Sequence, residues 1–501
     1  MARSGGTRPV DPSDALRPLD HFVFGNIYLR SECKIVDQFC FLRLLSMFFK
    51  DFTRPLNALD WSRFDYYARK IHQVGIGRAI RSDFRGERVS RNVLAALVEY
   101  RLVPSELLPN LRQLYIRSES LAFEDLQFLQ RFLGPSLLAV DIFNDVAGVE
   151  DHICGLLWSM SRTSPHLREI FIYSENENTS PESVLALSGL LLSLSEIKTI
   201  EVEPMPLPAR AVVNHLGTLS SLTSWEFLMF PPIPDLHSFT TQNGRFSNLS
   251  DFGFSTVDLV AAVDIVESMA CPFEYLNIRI RRSRPRLMTE TVQSLCRMTE
   301  VLSRHPSSTT LSHLTLKMMP DMASGGDSVH AALRPLFMLN GIHDLTLYLS
   351  TFNEVGDSWL DEASQSWPYL ETLRVALPYR RFVPPDQEIR GPTMTLAGLL
   401  PLLKRCPNLG QLDISLIAKP FDISLLSGIS CFNAVCQVSF PASVIESPSE
   451  VFDCIVLMFP HLRGFAGFNY RWHSVDDAAW RELRRLIRDI PGYVGSEWDS
   501  Q

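Results

Sequence analysis

A six-residue pattern, leucine-x-x-leucine-x-leucine or a conservative variant, returns along this chain at intervals of about 24 to 40 residues, a period that commits a polypeptide to stacking similar units. The clearest copies are Leu111, Leu114 and Ile116; Leu167, Ile170 and Ile172; Leu311, Leu314 and Leu316; Leu370, Leu373 and Val375; and Leu409, Leu412 and Ile414. Less regular copies fall between them: Leu137 with Val140 and Ile142, Ile197 with Ile200 and Val202, Leu222 with Trp225 and Phe227, Leu249 with Phe252 and Phe254, Phe273 with Leu276 and Ile278, Ile342 with Leu345 and Leu347, and Leu462 with Phe465. From Leu111 to Phe273 the steps between successive copies, by subtraction of residue numbers, are 26, 30, 30, 25, 27 and 24.

Within each copy the fourth and sixth positions are apolar and alternate with polar neighbours, the period of a strand with one buried face. A proline often stands one or two residues ahead of the first leucine, as in Pro109-Asn110-Leu111, Pro165-His166-Leu167, Pro368-Tyr369-Leu370, Pro407-Asn408-Leu409 and Pro460-His461-Leu462. It ends the preceding helix and enforces an extended start. Upstream lie apolar stretches at helical spacing, among them residues 183–195, 291–303 and 395–404. Each unit thus reads as strand, loop, helix, loop. One unit alone leaves its apolar side in water, so the units stack into an α/β horseshoe, with parallel strands on the concave face and helices on the convex face.

At 501 residues, 46% of them hydrophobic and 21% charged, the chain has the composition of an ordinary soluble protein. A formal charge of −9 disfavours nucleic acid or a membrane surface as partner, since both select basic protein faces. Neither a run of 18 apolar residues nor a signal-like start is found, so the expected location is cytoplasm or nucleus. Nine cysteines scattered through apolar contexts read as reduced packing residues.

Four regions follow. Residues 1–20 are expected to be disordered; residues 21–104 form a helical cap, with helices over 31–52, 60–76 and 90–100; residues 105–470 are the repeat array; and residues 471–501 supply a capping helix, near 476–490, and a tail. An open array exposes core at its ends, which is the physical reason for the caps.

The sequence holds no phosphate-binding glycine loop, nucleophile elbow, zinc-protease motif or calcium loop, and Cys431 and Cys436 lack the spacing of a zinc knuckle. No catalytic residue, metal or cofactor is assigned, and the chain is read as a non-enzyme. The register instead predicts a binding surface from the outward positions of the strands. One column reads Tyr115, Asp141, Phe171, Glu201, Glu226, Gly253, Asn277, Thr315, Thr346, Arg374 and Asp413; the next reads Arg117, Phe143, Tyr173, Glu203, Leu228, Ser255, Arg279, Lys317 and Tyr348. Aromatic and charged residues without a repeating identity suit a protein partner. The candidate contact residues are Tyr115, Arg117, Phe171, Tyr173, Glu201, Glu203, Glu226, Tyr275, Arg279, Lys317, Tyr348 and Arg374, with Arg281, Arg282, Arg380 and Arg381 in the two long loops, where guanidinium groups grip carboxylate or phosphate.

The segments DWSRFDYYARKIHQV (60–74), SELLPNLRQLYI (105–116), FLGPSLLAVDI (132–142), SPHLREIFI (164–172) and CPNLGQLDI (406–414) resemble the F-box-type leucine-rich-repeat proteins expanded in fungi, over roughly residues 60 to 470. That resemblance implies a leucine-rich-repeat solenoid whose repeats hold a protein substrate. It also implies a substrate-recognition subunit of an SCF-type cullin–RING ubiquitin ligase, docked on Skp1 and cullin through its N-terminal region. The LPxELLxxIF-like opening of an F-box is not found in residues 1–60; the resemblance makes the apolar helix near residues 35–49 its diverged remnant, so residues 21–104 read either as a helical cap or as a diverged F-box-like region, and the repeats lack the Asn or Cys ladder at the ninth position, as Glu119 and Glu175 show. The alternative is a leucine-rich-repeat interaction scaffold or inhibitor with no ligase coupling.

Overall fold

A computed structural model describes residues 23–24, 27–31, 62, 65–66, 68–76, 107–117, 129–144, 150–174, 180–203, 210–228, 246–256, 259–280, 288–318, 329–349, 355–376, 392–426, 434–441, 443–468 and 476–490. The chain forms two compact units, Met1–Pro204 and Met205–Gln501.

In the first unit the strands are β1 (Val23–Phe24), β2 (Ile27–Ser31), β3 (Ile71–Ile76), β4 (Gln113–Arg117), β5 (Ala139–Asn144), β6 (Glu169–Ser174) and β7 (Thr199–Glu203). β1, β2 and β3 pair antiparallel; from β3 to β7 every pairing is parallel. The register is set by the repeat itself: Val74, Leu114, Val140, Ile170 and Ile200 stand side by side, all buried, and so do Ile116, Ile142, Ile172 and Val202 one step on. A slip of one residue would turn this whole set into water. Helices Glu150–Thr163 and Pro181–Ser193 return the chain; the second starts where the Ser180 hydroxyl accepts the Ser183 N–H at 3.1 Å, with Pro181 in the first turn.

The helix expected over 60–76 stops early. Ser62, Asp65, Tyr66 and Ala68 are helical, Arg69 and Lys70 turn, and Ile71 opens β3. The segment IHQVGI is itself a copy of the repeat, with Ile71, Val74 and Ile76 at the three apolar positions, and its pairing covers the edge of β4. Helical spacing of Trp61, Phe64, Ala68 and Ile71 hid it, because the same apolar residues fit both periods. Of the helix expected over 31–52 only Ser31 is described, and it closes β2; the helix over 90–100 and the expectation for residues 1–20 lie outside the described residues.

The second unit carries β8 (Ser224–Leu228), β9 (Asp251–Thr256), β10 (Tyr275–Ile280), β11 (His313–Met318), β12 (Asp344–Tyr348), β13 (Thr372–Ala376) and β14 (Gln411–Ile414), then β15 (Ile417–Ala418), β16 (Gln437–Pro441), β17 (Val444–Ile445) and β18 (Gly464–Phe468). β8 to β14, β16 and β18 form one parallel run in chain order, while β15 pairs with β17 in a separate two-stranded sheet. β16 is a further repeat, one without leucine: VCQVSF places Val435, Val438 and Phe440, all buried, at the apolar positions. The helix Asp476–Arg488 follows β18, and buries Trp480, Leu483 and Ile487.

The turns explain how the units stack without an Asn ladder. Where a proline precedes the strand, the first leucine donates to the carbonyl three residues back, as Leu111 does to Leu108 (3.1 Å) and Leu370 to Trp367 (3.2 Å), a turn that suits proline at its second position. The carbonyl just after that leucine then accepts two successive amides from the next unit. Leu138 and Ala139 donate to Arg112 O at 2.8 and 2.9 Å, and His343 and Asp344 to Ser312 O at 2.8 and 2.9 Å. The same pair of bonds recurs from Arg112 to Arg168 in the first unit and from Thr223 to Cys436 in the second. Backbone atoms, which every residue carries, do the work that a conserved side chain would otherwise do.

Behind the strands the second unit holds a spine of rings: Trp225 and Phe252 have centroids 5.9 Å apart, Phe252 and Phe273 5.3 Å, and Phe273 and His305 5.2 Å. His305 is buried and bonds on both nitrogens, to Ser307 on one side and to the Met269 carbonyl on the other. Ser307 Oγ in turn accepts the Phe273 amide (2.6 Å) and donates to Cys271 O (3.2 Å). This network pins the turn that leads into β11 to the turn that leads into β10, the strand before it.

Candidate functional site

Facing away from the apolar core, each strand presents alternate side chains in three columns. The pairing registers align them across strands as the alternation requires. In the first unit the middle column is Tyr115, Asp141, Phe171, Glu201 and the third is Arg117, Phe143, Tyr173, Glu203. In the second unit the middle column runs Glu226, Gly253, Asn277, Thr315, Thr346, Arg374, Asp413, Ser439 and the third runs Leu228, Ser255, Arg279, Lys317, Tyr348, Ala376. Tyr275 belongs to the first column, beside Asp251 and His313. Of Arg117 only the backbone position is described, and Arg281, Arg282, Arg380 and Arg381 lie outside the described residues.

The first unit's face combines rings with acids. Tyr115, Asp141, Phe171, Tyr173, Glu201 and Glu203 are all partly exposed, and Phe143 and Tyr173 stand with ring centroids 6.3 Å apart.

The second unit's face is internally matched. Glu226 reaches across β9 to β10, where Asn277 Nδ2 donates to its Oε1 at 2.9 Å and Arg279 forms an ion pair at 3.0 Å. Gly253 makes that crossing possible, since it has no side chain to stand in the way. Lys317 Nζ lies 5.3 Å from the centre of the Tyr348 ring, and Tyr348 Oη donates to Asp413 Oδ2 at 3.4 Å. Burial pushes the Asp413 carboxyl up to about 6, against the opposing pull of Arg374 and the hydroxyls of Ser439 and Tyr348. Arg374 itself donates to Gln411 Oε1 at 3.1 Å. Asn277, Gly253 and Asp413 were in the predicted columns but not among the candidate contact residues; the network that gives them a role depends on partners one or two strands away, which spacing along the chain does not reveal.

One constellation has the look of a nucleophile. Ser312 Oγ is 2.7 Å from His313 Nδ1, and His313 Nε2 is 2.7 Å from Asp344 Oδ2. The neighbouring amides are committed elsewhere: Ser312 and His313 donate to Glu274 O, and His343 and Asp344 donate to Ser312 O. None of these four can stabilise an oxyanion, and His313 is 42% exposed, so acyl transfer gains little from this chain of contacts. Among the described residues no group of three or more His, Cys, Asp or Glu side chains is placed to hold a metal ion. No described helix is long and apolar enough to cross a membrane.

No protein-family model matches the chain, and no curated protein matches it. Among solved structures it is similar to the Rad7 and Elc1 complex of yeast, at 12% identity over 83% of this chain and 96% of that one, with a TM-score of 0.44. It is also similar to the mouse RP105/MD-1 complex, at 14% identity over 74% of this chain and 57% of that one, with a TM-score of 0.33. With its L-x-x-L-x-L strands in parallel register, an apolar core behind them and helices returning the chain between several of them, the protein has the fold of an α/β leucine-rich-repeat solenoid.

Proposed function

We propose that this chain is a non-catalytic protein-binding protein, working in the cytoplasm or nucleus, whose outward strand face holds a partner. The observation that carries this reading is the contrast within each strand. From β4 to β14 the fourth and sixth repeat positions are apolar in every strand, whereas the fifth varies from strand to strand among Tyr, Phe, Asp, Glu, Arg, Asn, Thr and Gly. A surface held on a regular scaffold but varied residue by residue suits recognition of one protein. The test is affinity capture with the full chain, comparing wild type with Tyr173→Ala and Arg374→Ala on the face and with Arg297→Gln on a helix. Partners lost with the face variants alone support the reading; partners indifferent to them overturn it.

The family resemblance gives this reading a finer form, a substrate-recognition subunit of an SCF-type cullin–RING ubiquitin ligase with Skp1 and cullin bound through the N-terminal region. Purified full chain mixed with Skp1 at micromolar concentration is the direct test. A stable complex supports ligase coupling, and its absence in a folded sample removes it. One observation favours the alternative, an interaction scaffold or inhibitor without ligase coupling: β1, β2 and β3 spend part of the N-terminal region on extending the sheet edge.

A further inference from the structure

We propose that the face of β13 and β14 receives an aspartate or glutamate side chain of the protein partner, gripped by the Arg374 guanidinium with the Gln411 amide beside it. The inference rests on the protein-binding reading above and specifies the partner's chemistry at one point. Register sets Thr346, Arg374 and Asp413 side by side in one row and Asp344, Thr372 and Gln411 in the row before it. Arg374, Thr372 and Gln411 are all partly exposed. A guanidinium carries five N–H donors in a planar fork, and a carboxylate can take two of them at once. Arg374 spends one N–H on Gln411 Oε1, at 3.1 Å. With its oxygen taken by Arg374, what the Gln411 amide has left to offer a partner is its Nε2 donors.

Charge selects the occupant. Among the described residues Arg374 forms no ion pair, whereas Arg279 on the same face is paired with Glu226 at 3.0 Å. The acids at positions adjoining Arg374 in the sheet are Asp344, Glu371 and Asp413, and each is bonded to something else. Asp344 stands 2.7 Å from His313, Glu371 3.2 Å from His343, and Asp413 accepts from Tyr348 at 3.4 Å. Asp413 comes nearest to serving as counter-ion, since its carboxyl feels the Arg374 charge. Burial nevertheless pushes that carboxyl up to about 6, so in mildly acidic solution it is neutral and leaves the guanidinium charge open. A basic group seated here meets Arg374 head on, and an apolar one buries its charge unpaired, at a cost. A partner carboxylate satisfies the fork and the Gln411 amide together.

The test is selection from a random peptide library displayed on phage, against the full chain at about pH 5.5, where Asp413 is mostly neutral. Affinities are then measured on synthetic copies with amidated C-termini, which leaves side chains as their source of carboxylate. The expected result is enrichment of peptides that share an Asp or Glu at a fixed position. Replacing that residue by Asn or Gln should weaken binding about tenfold, and so should Arg374→Ala; the two together should cost little more than either alone, because they break the same contact. Arg374→Lys, which keeps the charge and loses the fork, should fall between. Affinity should weaken as salt rises and as pH rises to about 7.5, where Asp413 ionises and competes for Arg374. That pH dependence should be shallower in Asp413→Asn but not absent, since protonation of His313 and His343 acts in the same direction. Arg297→Gln, on a helix, should change nothing. Should Arg374→Ala fail to fold, which circular dichroism would show, Arg374→Lys and Gln411→Ala carry the test. Enrichment of basic or apolar peptides, additive losses, or no enrichment at all overturns the proposal. Peptides released by Tyr173→Ala and not by Arg374→Ala would overturn it while leaving protein binding by the strand face intact; peptides indifferent to every face variant would remove both.

Discussion

Glu226 on β8 lies directly over Gly253 on β9, so close that a Cβ on residue 253 would stand 2.8 Å from the Glu226 Cδ. Glycine inside a strand usually weakens it, and here it marks a close approach. The side chain that crosses it ends on Asn277 and Arg279, two strands from its own backbone. Gly253→Ala should therefore change sign with its background. In the natural sequence it displaces Glu226 and costs about 1 kcal/mol; in a Glu226→Ala background only the gain in strand rigidity remains, and it should stabilise by about 0.5 kcal/mol. A double-mutant cycle by urea unfolding measures this, and simple additivity would refute the crossing.

His305 should make stability fall on mild acidification. Burial holds its ring below the ordinary value of 6.5, against the raising effect of the bond to the Met269 carbonyl. As pH falls through 6.5 the unfolded chain takes up a proton there before the folded chain does, so folding loses ground until the folded value is reached. His305→Ala removes that component and leaves the Met269 carbonyl and Ser307 amide without their partner, at about 2–4 kcal/mol. Unfolding midpoints at several pH values between 5 and 8, about the range that spans the transition, should show a shallower slope in the variant.

Asp413 should act in the opposite direction. Its folded value, about 6, is above the ordinary 3.8, so the neutral acid is the form the fold prefers. The stability it contributes is complete below 3.8 and is lost as pH rises through about 6. Asp413→Asn keeps a neutral group of the same shape beside Tyr348 and should stabilise the protein near neutral pH by about 1–2 kcal/mol, with no gain at pH 4. A variant equally stabilising at both values would mean that the carboxyl is not held neutral by burial.

How much of this was legible in the sequence follows from which interactions are periodic. Leu114, Val140, Ile170 and Ile200 fall in register because each copy of the repeat carries the same apolar spacing, and the outward columns come with them. The copy at Ile71 fits a helix as well as a strand because its apolar residues serve either period, and the copy at Val435 is hard to see because Val and Phe replace leucine between and beside two cysteines. The predicted columns aligned across the strands, but their energetics stayed hidden. That Glu226 is neutralised by Arg279 depends on a glycine in the intervening strand and on no rule of composition.

The strand at Ile71–Ile76 makes a last prediction about cooperativity. Val74 is 2% exposed and stands beside Leu114, and Arg112 N donates to His72 O at 2.8 Å, so β3 shields the edge of β4. In a stacked array each repeat is stabilised mainly by its neighbours, so damage at an end loosens nearby strands first. Val74→Asp buries an unpaired charge and should detach β3 without unfolding the second unit. Hydrogen exchange is the measurement: the amides of β4 should lose protection in the variant by about tenfold or more, while those of β11 and β12 keep theirs. Had residues 60–76 been one continuous helix, Val74→Asp would leave the β4 amides as protected as before, and that result would place the edge of the sheet at β4.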